Sequence, residues 1–144
     1  MTDQHAVSEG ARSFSWLLNG FVENTAGVSD AVAVSSDGLL MAMSSSLERP
    51  AAEQLAAIIS GMVSLGNGAS QCFGFDGLEQ VIVAMQRGFL FVSAISDGSC
   101  LGVVAGKGCD IGLIGYQTTL LVERAATVLT PSLVAELKQE MLVS

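Results

Sequence analysis

Val28-Ser29-Asp30-Ala31-Val32-Ala33-Val34-Ser35-Ser36-Asp37-Gly38-Leu39-Leu40-Met41-Ala42-Met43 is the stretch on which the fold turns. Two apolar, β-rich runs flank an Asp-Gly pair, and glycine there tolerates the positive φ that a tight turn demands. The stretch therefore reads as a β-hairpin, with strands over 28–36 and 39–43. Downstream, Ala94-Ile95-Ser96-Asp97-Gly98-Ser99 repeats the Val34-Ser35-Ser36-Asp37-Gly38-Leu39 pattern, again between apolar runs. Good hairpin turns resemble one another, so this echo speaks of turn chemistry rather than of a duplicated unit.

Working outward, Ser13 reads as the cap of a first helix whose stripe is Phe14, Leu17, Leu18 and Phe21, ended by Gly27. Pro50 marks the first turn of a second helix reaching about Ser70. Strands follow over 78–85, 89–96 and 100–105, then a helix capped by Asp110 and stopped before Pro131, with a short amphipathic helix over 132–142. The order predicted is α-β-β-α-β-β-β-α in an α+β fold, a five-stranded antiparallel sheet with helices on both faces. Domain bounds follow as a disordered tail over 1–12, one domain over 13–130, and a C-terminal tail or short helix over 131–144.

The second helix carries the clearest functional signal. Over 51–69, one side holds Leu55, Ile58, Ile59, Met62, Val63 and Leu65, a width suited to packing on the sheet. The opposite side would be charged if it met water, yet Glu53 is its one charge. It presents Ala57, Gly61, Ser64 and Gly68 in a row, flanked by Ser60 and Asn67. Interior glycines cost roughly 1 kcal/mol each against alanine, while small side chains let helix axes approach closely. This face is expected to be covered by a second helix, most simply that of an identical chain; the competing reading is a poorly optimised surface helix. The strand that follows has Glu79 as its one charge and reads as an unguarded edge open to a symmetry mate through Gln80, Val81, Ile82 and Val83.

Composition narrows the function classes. Of 144 residues half are apolar and 14% are charged, below the roughly 25% usual in soluble domains, so part of the surface is expected to be hidden against another chain. The net charge of −8, with Arg12, Arg49, Arg87, Lys107, Arg124 and Lys138 scattered singly, disfavours nucleic acid and anionic membrane surfaces. The N-terminus lacks a basic start and an apolar run, and 54–75 is interrupted by Gly61, Gly66, Gly68 and Gly74, so neither a signal peptide nor a membrane span is predicted. Cys72, Cys100 and Cys109, odd in number and without CxxC spacing, fit buried reduced thiols and a cytoplasmic location.

Catalytic groupings are not found. The single histidine, His5, falls in the expected tail, leaving no Ser-His-Asp or Cys-His arrangement within the domain. Asp37, Asp97 and Asp110 occupy turns and a cap, their ordinary structural places. Gly102-Val103-Val104-Ala105-Gly106-Lys107-Gly108 has three residues between its outer glycines where a phosphate loop needs four, and Gly108 where Ser or Thr is required. It reads as a strand-to-helix connection. Trp16, Phe89, Phe91 and Tyr116 are expected in the core. No cofactor, metal or catalytic residue is assigned, and the chain is expected not to be an enzyme.

At this point the pattern resembles a known family. Trp16-Leu17-Leu18-Asn19-Gly20-Phe21-Val22, Val34-Ser35-Ser36-Asp37-Gly38-Leu39-Leu40, Glu53-Gln54-Leu55-Ala56, Ile95-Ser96-Asp97-Gly98-Ser99-Cys100-Leu101 and Leu120-Leu121-Val122-Glu123-Arg124 are similar to segments of Roadblock/dynein light chain domains, especially the actinobacterial members of conservon operons. The resemblance implies one helix on one sheet face and two on the other, and homodimers built from the second helix and third strand. It further implies a scaffold or regulator that binds a small Ras-like GTPase and modulates its nucleotide state, beside a sensor-kinase-like membrane protein that could recruit it to the membrane. A pure assembly adaptor and a small-molecule sensor are the alternatives. Arg49 and Arg87 are weak candidates for an arginine finger.

Overall fold

The computed structural model describes residues 8–143. Nine elements follow one another: α1 (Glu9–Asn24), β1 (Val28–Val34), β2 (Leu40–Met43), α2 (Arg49–Phe73), β3 (Gln80–Ala84), β4 (Gly88–Ala94), β5 (Cys100–Gly106), α3 (Ile111–Val128) and α4 (Pro131–Val143). The five strands form one sheet in the order β2-β1-β5-β4-β3, every neighbouring pair antiparallel. The α+β architecture and the five-stranded antiparallel sheet read from the sequence are those observed.

Both Asp-Gly turns lie side by side at one end of the sheet, because β1 and β5 run antiparallel with Val34 opposite Cys100. Their backbones match. Gly38 N–H donates to Ser35 O and Gly98 N–H to Ile95 O, with both glycines at positive φ (86° and 93°). The echo thus reflects one turn chemistry used twice in adjacent places.

The sheet divides two cores. On one face α2 packs Ala52, Ala56 and Ile59 on Val32, Val34, Leu90, Val92 and Cys100, with Met141 from the end of α4 at the margin. On the other, α1, α3 and α4 cover Ala31, Ala33, Phe89, Phe91, Leu101 and Val103 with Phe14, Leu18, Ile114, Leu121, Leu133 and Leu137. Three helices share that face where the resemblance implies two, because 131–143, expected as a tail or a short helix, forms α4 and packs there.

The first helix begins earlier than the sequence indicates. Ser8, not Ser13, is its cap, its Oγ accepting from Ala11 N–H at 3.1 Å. Only part of the expected tail, residues 1–7, lies outside the described residues, and His5 falls there. The first turn is held by contacts distant in sequence: Ser8 N–H donates to Glu136 Oε2, and Leu133 packs on Gly10.

Candidate interaction surface

The placement of α2 follows from one glycine. A Cβ on Gly102 of β5 would stand 2.3 Å from Ile59 Cδ1, so its absence lets the helix sink onto the middle of the sheet. The C-terminal end is strapped. Gly74, in the left-handed region, ends the helix, and Phe75 N–H donates to Ser70 O. Gly77 N–H donates to Ser70 Oγ at 2.7 Å and Leu78 N–H to Asn67 Oδ1 at 2.9 Å, while the Leu78 side chain lies against Gly66. Gly66 is therefore explained within the chain.

Gly61 and Gly68 are not: a Cβ on either meets nothing within 4 Å. They sit on the outward side of α2 with Ala57 and Ser64, all four exposed, as the wheel predicts. Ser60, half-buried, approaches Gly38 of the first turn. Asn67 is exposed, but its amide oxygen is already committed to the strap.

The wheel errs on the bulky side. Ile58 is 49% and Leu65 78% exposed, so they belong to the outward half; the buried positions are Ala52, Ala56, Ile59 and Ser70. Smaller residues line the sheet because the helix lies close to it, and larger ones face away. The outer surface of α2 is consequently apolar and small together.

Beside it runs β3, an edge strand paired only with β4. Val81 and Val83, half-buried, pack into the α2 core, whereas Ile82 on the other sheet face is 46% exposed. Gln80 is half-buried and its Nε2 donates to Ser93 Oγ. The four β3 positions thus split between the faces of the sheet, and what they share is the strand's unpaired backbone edge. The opposite edge, β2, is covered by α4.

Elsewhere the chemistry is structural. Lys107 Nζ donates to Met85 O at 3.2 Å and stands 4.8 Å from the Phe89 ring centroid. Asp110 Oδ1 accepts from Leu113 N–H as the α3 cap. The Gly106–Gly108 segment is thus a connection between β5 and α3. Arg49 Nη1 donates to Met141 O, tying α2 to α4, while Arg87 is exposed in the β3–β4 turn. Burial pushes the Cys100 thiol up to about 11, with Asp97 adding to the shift, so it stays protonated and inert. Cys109 is half-buried, but Cys72 is exposed at the end of α2, against the expectation of buried thiols. Phe89 and Phe91 are core as expected, whereas Trp16 (77%) and Tyr116 (61%) are exposed. Trp16 lines an open groove of about 380 Å³ between α1 and α3, with Gln117 and Arg124 opposite. Among the described residues, no three His, Cys, Asp or Glu gather to hold a metal, and no helix is long and apolar enough to cross a membrane.

Comparison with known proteins agrees with this architecture. The Roadblock/LC7 domain profile matches residues 14–105. A Roadblock/LC7 domain from Streptomyces avermitilis is 35% identical, superposes with a TM-score of 0.74, and covers 78% of this chain and 94% of its own. MglB of Myxococcus xanthus, 12% identical, shares the fold with a TM-score of 0.74 over 81% of this chain and 94% of that one. The gliding protein MglB from Thermus thermophilus, 14% identical, does so with a TM-score of 0.75 over 85% and 93%. A search of curated protein sequences returns no match.

Proposed function

The chain belongs to the Roadblock/LC7 domain family, and from that premise we propose that it is a non-enzymatic homodimeric scaffold that binds a small Ras-like GTPase and biases its nucleotide state. The observation that carries the reading is the pairing of an uncovered apolar face on α2 with an open β3 edge, in a molecule that covers its other edge. Ala57, Ser60, Gly61, Ser64, Asn67 and Gly68 would meet their symmetry mates, and β3, through Gln80, Val81, Ile82 and Val83, would pair with a second β3. Exposed Ile58 and Leu65 strengthen the case, since large apolar side chains clustered at a surface mark interaction sites.

A two-chain platform built this way acts on a GTPase by binding one nucleotide state more tightly than the other, because a partner shifts an equilibrium only by its differential affinity. Arg49 is hydrogen-bonded to α4 and so is poorly placed to reach a bound nucleotide. Sedimentation of the full chain at micromolar concentration tests the dimer; a monomer there refutes it. GTP hydrolysis and nucleotide release by a candidate small Ras-like GTPase from the same organism, with and without this protein, test the regulation. Binding with neither rate changed would leave a pure assembly adaptor, holding the GTPase and a sensor-kinase-like membrane protein together.

A further inference from the structure

The groove between α1 and α3, on the far side of the sheet from α2, gathers three features that the chain itself does not use. Trp16, the one tryptophan, is 77% exposed on its wall. Gly20, one turn further along α1, lines it too. A glycine inside a helix costs stability against alanine, yet a Cβ here would meet only the Asn24 amide nitrogen of the same helix, at 3.9 Å. The apolar lining between them is Leu17, Phe21, Leu120 and Leu121. The third feature is charge. α1 leads into β1 at Val28 and α3 leaves β5 after Gly106, and Val28 stands opposite Ala105, so the two helices run antiparallel. Glu23 therefore lies at one end of the groove and Arg124 at the other, the end that holds Trp16; both are exposed.

We infer that this groove takes an amphipathic α-helix of a partner protein, its N-terminus toward Glu23 and its C-terminus toward Arg124. Charge complementarity sets both the occupant and its direction. A helix carries roughly half a positive charge at its N-terminus and half a negative charge at its C-terminus, so this orientation alone joins opposite charges at both ends. An extended or proline-rich segment has no such dipole and leaves the two ends of the groove without a purpose. Gly20 gains the use it lacks within the chain, because small residues let helix axes approach closely. Trp16 gains cover, as the large aromatic side chain that anchors an interface. From Trp16 to Asn24 the groove wall rises about 12 Å at 1.5 Å per residue. That is two turns of a docked helix, room for apolar anchors at i, i+4 and i+7. The groove shares no residue with α2 or β3, so the inference stands apart from the dimer reading.

Because Trp16 is the one tryptophan, its fluorescence reads the groove directly. The probe is a display library of unconstrained peptides of about 20 residues, long enough to form a helix on binding, selected on the full-length chain. The enriched peptides are expected to carry apolar residues at i, i+4 and i+7, to turn helical when bound, and to shift Trp16 emission to shorter wavelength as the indole leaves water. A nitroxide on the peptide's C-terminal end should quench Trp16, and one on its N-terminal end should not. Gly20→Leu fills the groove with a better helix former, so the variant folds, and it should weaken binding by about tenfold or more. Arg124→Glu should weaken it by about two- to fivefold, the effect of an unfavourable charge at a helix terminus. Proline-rich binders that shift Trp16 without forming a helix would give the groove to an extended segment and overturn the inference. A shift that grows with protein concentration alone would give it to a second copy of this chain, with the same consequence. Binders that leave Trp16 emission unchanged, bind Gly20→Leu as well as wild type or quench from the N-terminal end also overturn it, as does a library that enriches nothing.

Discussion

β2 and β3 are both edge strands, and the chain treats them in opposite ways. Over β2 lies α4, anchored by Leu133 and Leu137 in the core, by Arg49 Nη1 donating to Met141 O, and by Lys138 beside Asp37 at 3.3 Å. Along the outer edge of β3 no described residue lies: its outer backbone is unpaired there, and Ile82 is nearly half exposed. An uncovered edge strand invites pairing with any other strand. A molecule that blocks one edge with a helix while leaving the other bare confines any strand-to-strand growth to one direction, which would give a closed pair rather than a fibre.

If α4 is structural cover, its removal should be costly in the single chain. Leu137→Ala deletes a side chain 3% exposed where α4 meets the core, and unfolding by denaturant should show a loss of about 2–4 kcal/mol. A loss below about 1 kcal/mol would mean that α4 docks weakly and that both edges are open in solution. At the bare edge the expectation reverses. Ile82→Lys places a charge on an exposed strand position, so it should barely alter the stability of the monomer. It should weaken self-association by about tenfold or more, as charged residues do on natural edge strands. Sedimentation equilibrium gives the constant. Unfolding midpoints that lose their dependence on protein concentration would corroborate it.

The two edges also differ in how far the sequence discloses them. Local features are legible: two Asp-Gly turns fix the hairpins, and Asp110 and Pro131 bound α3. Residues whose roles depend on distant partners are not. Ser8 caps α1 because Glu136 and Leu133 support that turn from α4, more than a hundred residues away, whereas Ser13 offers an equally good local signal. Gly102 exists for Ile59 and Gly66 for Leu78, pairings no spacing reveals. Ile58 and Leu65 read as inward-facing because bulk usually means core. That rule fails on an element with two apolar sides, as α2 has. Trp16 and Tyr116 mislead in a similar way: aromatic bulk reads as core, and both side chains are exposed.

A third test separates interior from edge. Thr118 on α3 is fully buried, and its hydroxyl has no hydrogen-bond partner among the described residues. An unsatisfied buried hydroxyl carries its desolvation cost without return. Thr118→Val keeps the shape and removes that cost, so thermal and denaturant unfolding should show a gain of about 1 kcal/mol, with dimerisation untouched. A comparable loss would mean that the hydroxyl is satisfied by water.

The smallest effect concerns the tie between α4 and the first turn. The Ser35 hydroxyl donating to Asp37, and then Lys138 beside it, hold the Asp37 carboxyl below its usual range. A carboxyl whose folded value is depressed stabilises the fold above its unfolded value, and that contribution disappears as pH falls through the folded one. The window therefore lies below the ordinary aspartate value of 3.8. Because Asp37 is more than half exposed, solvent screens the pair, and exposed pairs contribute little. Asp37→Asn should shift the acid limb of the stability curve slightly and leave neutral-pH assembly unchanged. Should Asp37→Asn instead alter dimerisation at pH 7, the covered edge and the bare edge would be coupled through α2, whose Ser60 approaches Gly38 in the same turn, and the division of labour between the two edges would have to be abandoned.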